Sequence, residues 1–536
     1  MKDLIISLIG LYFIFLSTFL PAQSRWLQSY FPGQNVVAQD FSEYYDHGYL
    51  MTGKFGPNYV HYVWLLKTDI NGEIIWQKTF GNTVSYIGFF SIATNQSGDI
   101  FISGSTTYYG SVDPLIMKLS ACGEKEWCRI FYSPNHFDYA HSIVATEDGG
   151  CAVILRYTGT FPPHFDDRIC LARFSANGDL LWKQCYNSTD TLLRAEDSNH
   201  LFETPDKGFL ITGHCYYLDT ATTNMYWLKH YYIKTDSLGN FEWETVVHAD
   251  NNLQGGDAWT TTIDPGNNYY YSSVSHYYHQ TNFSSPALIK LDLNGNVIDI
   301  YDIFSGYIYG GLTNAQFIND SSLVTICGFG DTQEEIFIYV VNVDTSGNIQ
   351  NFTDLEFDIK RIVLRKSFDN KLPIFFDVLQ NNQFDIYLRK LNLNLEDDTI
   401  YIQPFTYDSL CPYQIVSDTI VQDDCGLIVG IEDTGEHGGM EAWGRGGVAV
   451  YPNPVREVLS VKVLGLSEGI VYSLEIYDMF GRQAPTPAPA LAGQALPQPG
   501  EGEMRVNVSA LSPGIYLAVV RDRGKWIGSA KFVVVR

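Results

Sequence analysis

The stretch KTDINGEIIWQKTFG, residues 67–81, decides the fold. Its core, Asp69-x-Asn71-Gly72, reads either as an oxygen-rich loop for a metal ion or as the tip of a β-hairpin. Recurrence separates the two. The segment aligns with KLSACGEKEW (118–127), RFSANGDLLW (173–182), KTDSLGNFEW (234–243), KLDLNGNVID (290–299) and NVDTSGNIQN (342–351), and a degenerate seventh copy, KLNLNLEDDT, starts at Lys390. The turn glycines are Gly72, Gly123, Gly178, Gly239, Gly295 and Gly347, with Leu395 in the last place. Units of about 50 residues at this spacing are the mark of a repeat architecture.

Each copy carries further short apolar runs between turn residues. Upstream lie DHGYLMTGKFG (from 46), QSGDIFISGST (96), EDGGCAVILRY (147), PDKGFLITGHC (205) and NDSSLVTICGFG (319), which look like inner β-strands. One run precedes each turn and another follows it. Four strands per unit and about seven units predict an all-β, seven-bladed β-propeller over residues 23–405. The N-terminal RWLQSYFPG (25–33) resembles a fourth strand lacking its first three, so it is expected to complete the last blade and close the ring.

The first turn positions are Asp69, Ser120, Ser175, Asp236, Asp292, Asp344 and Asn392. Ser replaces Asp well as a turn residue that accepts backbone N–H bonds, but poorly as a carboxylate ligand of a hard cation. The repeat is therefore read as a hairpin turn, with no metal or cofactor expected. Trp76, Trp127, Trp182 and Trp243 then read as packing between blades.

Composition agrees with a folded β protein: 15% of residues are aromatic, with 36 Tyr, and 18% are charged. Sixty acidic against 34 basic side chains give a formal charge of −26, which repels a polyphosphate backbone and argues against nucleic acid as a partner. At the start of the chain, Lys2 precedes an apolar run from Leu4 to Leu20 and small residues around Ala22. This pattern predicts a secretory signal over residues 1–22 and a mature form with no transmembrane helix. Export permits disulfides among the nine cysteines. Cys411 and Cys425 in CPYQIVSDTIVQDDC are the favoured pair, with Cys122 and Cys128, flanking one hairpin tip, as the second choice.

Residues 406–445 are expected to be a linker. From 446 onward nine Lys and Arg face seven Asp and Glu, a balance of +2 that leaves −28 on the rest of the chain. VAVYPNPV, YSLEIYDMFGR, VNVSALSPGIYLAVV and KFVVVR alternate apolar and polar residues, as in a small immunoglobulin-like β-sandwich. These segments resemble, in order, the type A C-terminal sorting domain of the bacterial type IX secretion system. The matching residues are Tyr451, Pro452, Asn453 and Pro454; Ile476, Tyr477, Asp478, Gly481 and Arg482; Leu511, Pro513, Gly514, Ile515 and Tyr516; and Lys531 to Arg536. The resemblance implies export, engagement of the type IX machinery, translocation across the outer membrane, and a secreted or cell-surface product. One departure is QAPTPAPALAGQALPQPGEGE (483–503), with five Pro and five Ala where the family has a short connection.

Chemistry is sparse in the propeller sequence. It contains no His-Glu-x-x-His, Gly-x-Ser-x-Gly, Cys-x-x-Cys or phosphate-cradling loop. His276 and His279 in SVSHYYHQ, and His136 and His141 in NHFDYAHS, read as strand-end polar residues and not as ligands. Tyr-rich GNNYYYSSVSHYYHQ (266–280) suits half-buried strands. Two classes of function follow: a non-catalytic module that binds a glycan or extracellular protein, which the missing motifs favour, or a glycan-directed hydrolase or lyase built from several blades. Convergence of carboxylates with His or Arg at one mouth of the channel would favour the enzyme.

Overall fold

The computed structural model describes residues 26–429 and 448–534. Left out of the first part are 57–61, 82–84, 108–110, 133–136, 158–167, 187, 189, 219–224, 248–253, 279–282, 305–308, 332–335, 403–404 and 421–424. Left out of the second are 452–457, 465–471, 479–481, 483, 485–500, 513 and 523–524. The described residues are strands, turns and coil, with no helix long and apolar enough to cross a membrane.

Seven four-stranded antiparallel units form a propeller, and within six of them the strand order follows the chain. Blade one is Val36–Glu43, Tyr49–Phe55, Tyr62–Thr68 and Ile74–Gly81, and the next five repeat this plan. Blade seven takes three strands, Ile359–Leu364, Leu372–Gln380 and Gln383–Leu391, and receives its fourth from the N-terminus. Leu27–Tyr30 pairs antiparallel with Gln383–Leu391, which closes the ring between the two ends of the propeller sequence. The runs taken from sequence as inner strands, such as Tyr49–Phe55 and Ile100–Thr106, are second from the axis. The innermost strand of each blade lies just before them, where the pattern is more polar because one end faces the channel.

The Asp-x-x-Gly segments are hairpin turns. Gly72 N–H donates to Asp69 O at 3.1 Å, and Asp69 Oδ1 accepts from the N–H of Asn71 and of Glu73, both at 2.8 Å. Ser120 Oγ fills the same role toward Cys122 and Glu124. Gly72, Gly123, Gly178, Gly239, Gly295 and Gly347 all have φ between +71° and +83°, and Leu395 accepts φ +65°. The next blade's turn glycine sits under the outer-strand aromatic of the blade before: a Cβ on Gly239 would meet Trp182, one on Gly295 Trp243, and one on Gly347 Tyr301. Trp127 Nε1 and Trp243 Nε1 donate to the turn carbonyls of Ala176 and Leu293. The tryptophans therefore pack between blades, as expected.

The cation that opens five of the copies has a structural role that the sequence did not reveal. It lies buried at the end of the third strand and pairs with an aspartate from the turn between strands one and two of its own blade. The pairs are Lys67–Asp46 (2.7 Å), Lys118–Asp99 (3.1 Å), Arg173–Asp148 (2.5 Å), Lys234–Asp206 (3.0 Å) and Lys390–Asp369 (2.9 Å). A charge so desolvated persists only when paired and hydrogen-bonded, so each pair fixes one blade's turns against each other.

Two expectations change at the end of the propeller. Cys411 and Cys425 do not bond to each other, nor do Cys122 and Cys128. The disulfides are Cys122–Cys411 and Cys128–Cys425, with Cys170–Cys185 a third inside blade three, and Cys151, Cys215 and Cys327 are buried thiols. The physical reason is that the described residues of 401–429 are laid on the ring and do not form a separate loop. Tyr407 Oη accepts from Ile70 N–H, Asp408 pairs with Lys67 at 2.9 Å, and Asp418–Ile420 and Gly426–Val429 add parallel strands outside blades one and two. The first half of the expected linker is thus a strap, and its two cysteines face two partners on one hairpin.

Residues 448–534 form two three-stranded antiparallel sheets around one apolar core that includes Leu459, Val461, Ile476, Val506, Ala518 and Val520. This is compatible with an immunoglobulin-like sandwich. Tyr477 and Tyr516 lie on the paired strands Tyr472–Asp478 and Gly514–Asp522, and Tyr477 donates to Glu475, which also pairs with Arg521 at 2.9 Å. Tyr451, Asp478, Gly514 and Lys531 are placed on strands, and Arg482 follows one. Pro452, Asn453, Pro454, Gly481 and Pro513 lie outside the described residues.

Candidate functional site

Every innermost strand carries a bulge at about the same height, marked by Gln39, Phe90, the His141–Ser142 pair, Asn199, Trp259, Asn314 and Lys360. A bulge frees a backbone amide and turns a side chain aside from the ladder. Side-chain acceptors of the preceding blade take such amides: Asp40 from Ile92, Ser142 from Leu201, His200 from Thr261, Thr260 from Ala315 and Asn314 from Leu364. This belt surrounds a channel cavity of about 460 Å³ that also meets His141 and Arg365. Burial, with the charge of Arg365, pushes the His200 imidazole down to about 3, so it is neutral in the fold.

The direction of the strands gives the two faces different character. Inner strands begin at the face that carries the loops between strands two and three and between blades. They end at the face that carries the Asp-x-x-Gly turns. The repeated aspartates that opened the question of a metal therefore lie on the face opposite the feature with chemistry.

That feature spans blades three to five. Arg156, near the end of a second strand, reaches Asp197 Oδ2 at 2.7 Å on the inner strand of blade four. Asp197 pairs in register with His214, whose Nε2 is 4.0 Å from Asp197 Oδ2. His214 Nδ1 lies 2.8 Å from Asp257 Oδ1, on the inner strand of blade five. The two atoms are close, but the ring nitrogen is turned off the line of a hydrogen bond. The four side chains are between 17% and 31% exposed, which leaves them reachable from solvent and partly desolvated. His230 is the cross-strand neighbour of His214 and lies 5.5 Å ring to ring from His276. Both are buried.

Beside this array a cleft of about 280 Å³ opens between blades five, six and seven, with Trp259, Tyr277, Tyr309, Thr313, Ile338 and Lys360 among its walls. Burial and the charge of Asp257 raise the Tyr277 phenol. Tyr277 pairs in register with Gly255, two residues before Asp257 on the inner strand of blade five, so the cleft and the array share that strand pair.

Of the residues considered from sequence, His141 lines the channel and His276 is buried behind the array, while His136 and His279 lie outside the described residues. Arg156, Asp197, His214 and Asp257 were not singled out. No two of them are closer than 17 positions in the chain, so spacing gave no signal. Among the described residues no group of three or more His, Cys, Asp and Glu has a metal-binding arrangement.

Residues 449–535 match the secretion system C-terminal sorting domain family, in agreement with the resemblance seen in sequence. The chain is a type IX secretion cargo with a propeller region, destined for the cell surface or the extracellular space. No curated protein matches it. Among solved structures it is similar to a polysaccharide lyase, Uly1 (11% identity, 68% of this chain, 90% of that one, TM-score 0.42). It is also similar to the Dos1 propeller (15%, 65% and 78%, TM-score 0.40). A third is the periplasmic gluconolactonase PpgL of Pseudomonas aeruginosa (10%, 68% and 97%, TM-score 0.37).

Proposed function

We propose that this type IX secretion cargo works outside the cell as a glycan-directed hydrolase or lyase, with acid–base chemistry centred on His214. The observation that supports this reading is the convergence of Arg156, Asp197, His214 and Asp257 from three blades beside the channel. An imidazole with a carboxylate against Nδ1 leaves Nε2 for proton transfer. Asp257 lies against Nδ1 of the ring, and Arg156 holds Asp197 in place beside it. The missing sequence motifs, which favoured a non-catalytic adhesion module, weigh less once the site is seen to be shared between blades.

A binding-only role keeps one specific support, the aromatic-walled cleft next to the array. Incubation of the full-length protein with a panel of extracellular polysaccharides separates the two, with new reducing ends and unsaturated ends as readouts. Turnover is expected, and His214→Asn or Asp257→Asn should lower it by about 100-fold or more. Glycan binding without any product, or unchanged turnover in both variants, would sink the acid–base reading.

A further inference from the structure

We infer that the cleft between blades five, six and seven is a subsite for one neutral sugar ring of the substrate. The inference rests on the glycan-directed reading above and narrows it to a chemical class. Three features of the cleft carry it.

The first is shape and surface. A space of about 280 Å³ with Trp259, Tyr277 and Tyr309 on its walls matches the size and the apolar C–H face of a hexose, which packs on aromatic rings. Trp259 is the bulge residue of blade five. The bulge turns the indole away from the ladder, and its Nε1 donates to Ser275 Oγ at 3.1 Å, which fixes the ring plane.

The second is an unmet polar group. Thr313 Oγ1, on the inner strand of blade six and on the cleft wall, is buried and has no hydrogen-bond partner among the described residues. A buried hydroxyl in that state has a place for a ligand donor or acceptor, and a sugar hydroxyl supplies either.

The third is charge. Lys360 at the cleft is paired with Asp358 at 2.5 Å, Arg361 beside it with Asp377 at 3.3 Å, and Arg156 in the array with Asp197 at 2.7 Å. These cations are neutralised by the protein's own carboxylates, and the chain as a whole carries a formal charge of −26. A uronate or sulfated sugar would meet repulsion there with no unpaired cation among these three to offset it, whereas a neutral sugar meets none.

Calorimetric titration of the full-length protein tests this, with neutral gluco-, galacto- and manno-configured oligosaccharides and the matching uronic acid oligosaccharides as probes. At least one neutral series is expected to bind, and more tightly than its uronate counterpart. Trp259→Ala should weaken that binding roughly tenfold or more, and Thr313→Val several-fold. Tyr309→Ala provides an independent reading if Trp259→Ala does not fold. Absence of binding by every neutral series, tighter binding of uronates, or wild-type affinity in Thr313→Val together with Tyr309→Ala would overturn the subsite. His214→Asn keeps the two proposals distinct: it should bind the neutral probe with unchanged affinity, so lost turnover with retained binding speaks to the array alone.

Discussion

Trp127 of blade two lies directly over Gly178, the turn glycine of blade three, so closely that a Cβ on Gly178 would sit 2.5 Å from the indole. The same relationship links Trp182 to Gly239 and Trp243 to Gly295. Glycine is needed twice at each position, for φ near +77° and for the space under the ring.

Gly178→Ala should therefore destabilise the propeller by roughly 2–4 kcal/mol, the sum of backbone strain and overpacking. Gly149→Ala is the matched control. Its φ is +80°, but the nearest atom to a new Cβ, Ala176 Cβ, is 3.6 Å away, so only the strain of about 1 kcal/mol is expected. Denaturant midpoints of the two variants should differ in that order, and equal shifts would show that the indole yields.

Lys67 is fully buried between Asp46 and Asp408, at 2.7 Å and 2.9 Å. Replacing it with Met leaves two desolvated carboxylates facing each other, and a loss of about 3–5 kcal/mol is expected. Because Asp408 belongs to the strap, limited proteolysis should also reach residues 401–429 sooner than in the native protein. A wild-type digestion pattern would mean that the disulfides alone hold the strap.

Cys122–Cys411 and Cys128–Cys425 close loops of 289 and 297 residues, while Cys170–Cys185 closes one of 15 between strands already paired. Removing the two strap disulfides with Cys411→Ser and Cys425→Ser should cost about 2–5 kcal/mol, more than removing Cys170–Cys185, in thermal unfolding under oxidising conditions. The opposite order would place the constraint inside blade three.

His200 is neutral in the fold because burial depresses its imidazole to about 3, whereas the unfolded chain takes up a proton near 6.5. The unfolded state thus binds more protons between those values, and stability falls as pH drops from about 6.5 toward 3. Protonation would also cost the bond that Nδ1 accepts from Thr261 N–H. Burial depresses His141 in the same direction. His200→Gln should flatten the dependence by on the order of 3 kcal/mol at pH 4, read from denaturation at several pH values. An unchanged slope would assign the acid sensitivity to other groups.

Much of this was legible because repeats amplify a weak local signal. The Asp-x-Asn-Gly turn of one copy left a metal loop open, but Ser120 and Ser175 in equivalent places pointed to a hairpin, and seven copies pointed to about seven blades, a count that the sheet order settled. Trp76, Trp127, Trp182 and Trp243 were read correctly for the same reason. The buried role of Lys67 and its counterparts recurred in five copies and was still unread, since a lysine beside a turn ordinarily faces water and only the fold shows the aspartate opposite.

By itself, then, the sequence determined the all-β repeat, a lone N-terminal strand that matches the fourth strand of a unit, and a tail built to be recognised by a secretion system, because each of these is written as a pattern of neighbouring residues. Only the tertiary structure decided which cysteines meet and which side chains gather beside the channel. Cys122 and Cys411 lie 289 positions apart, and Arg156, Asp197, His214 and Asp257 come from three blades. Ring closure sets those distances, and no local pattern of residues records them.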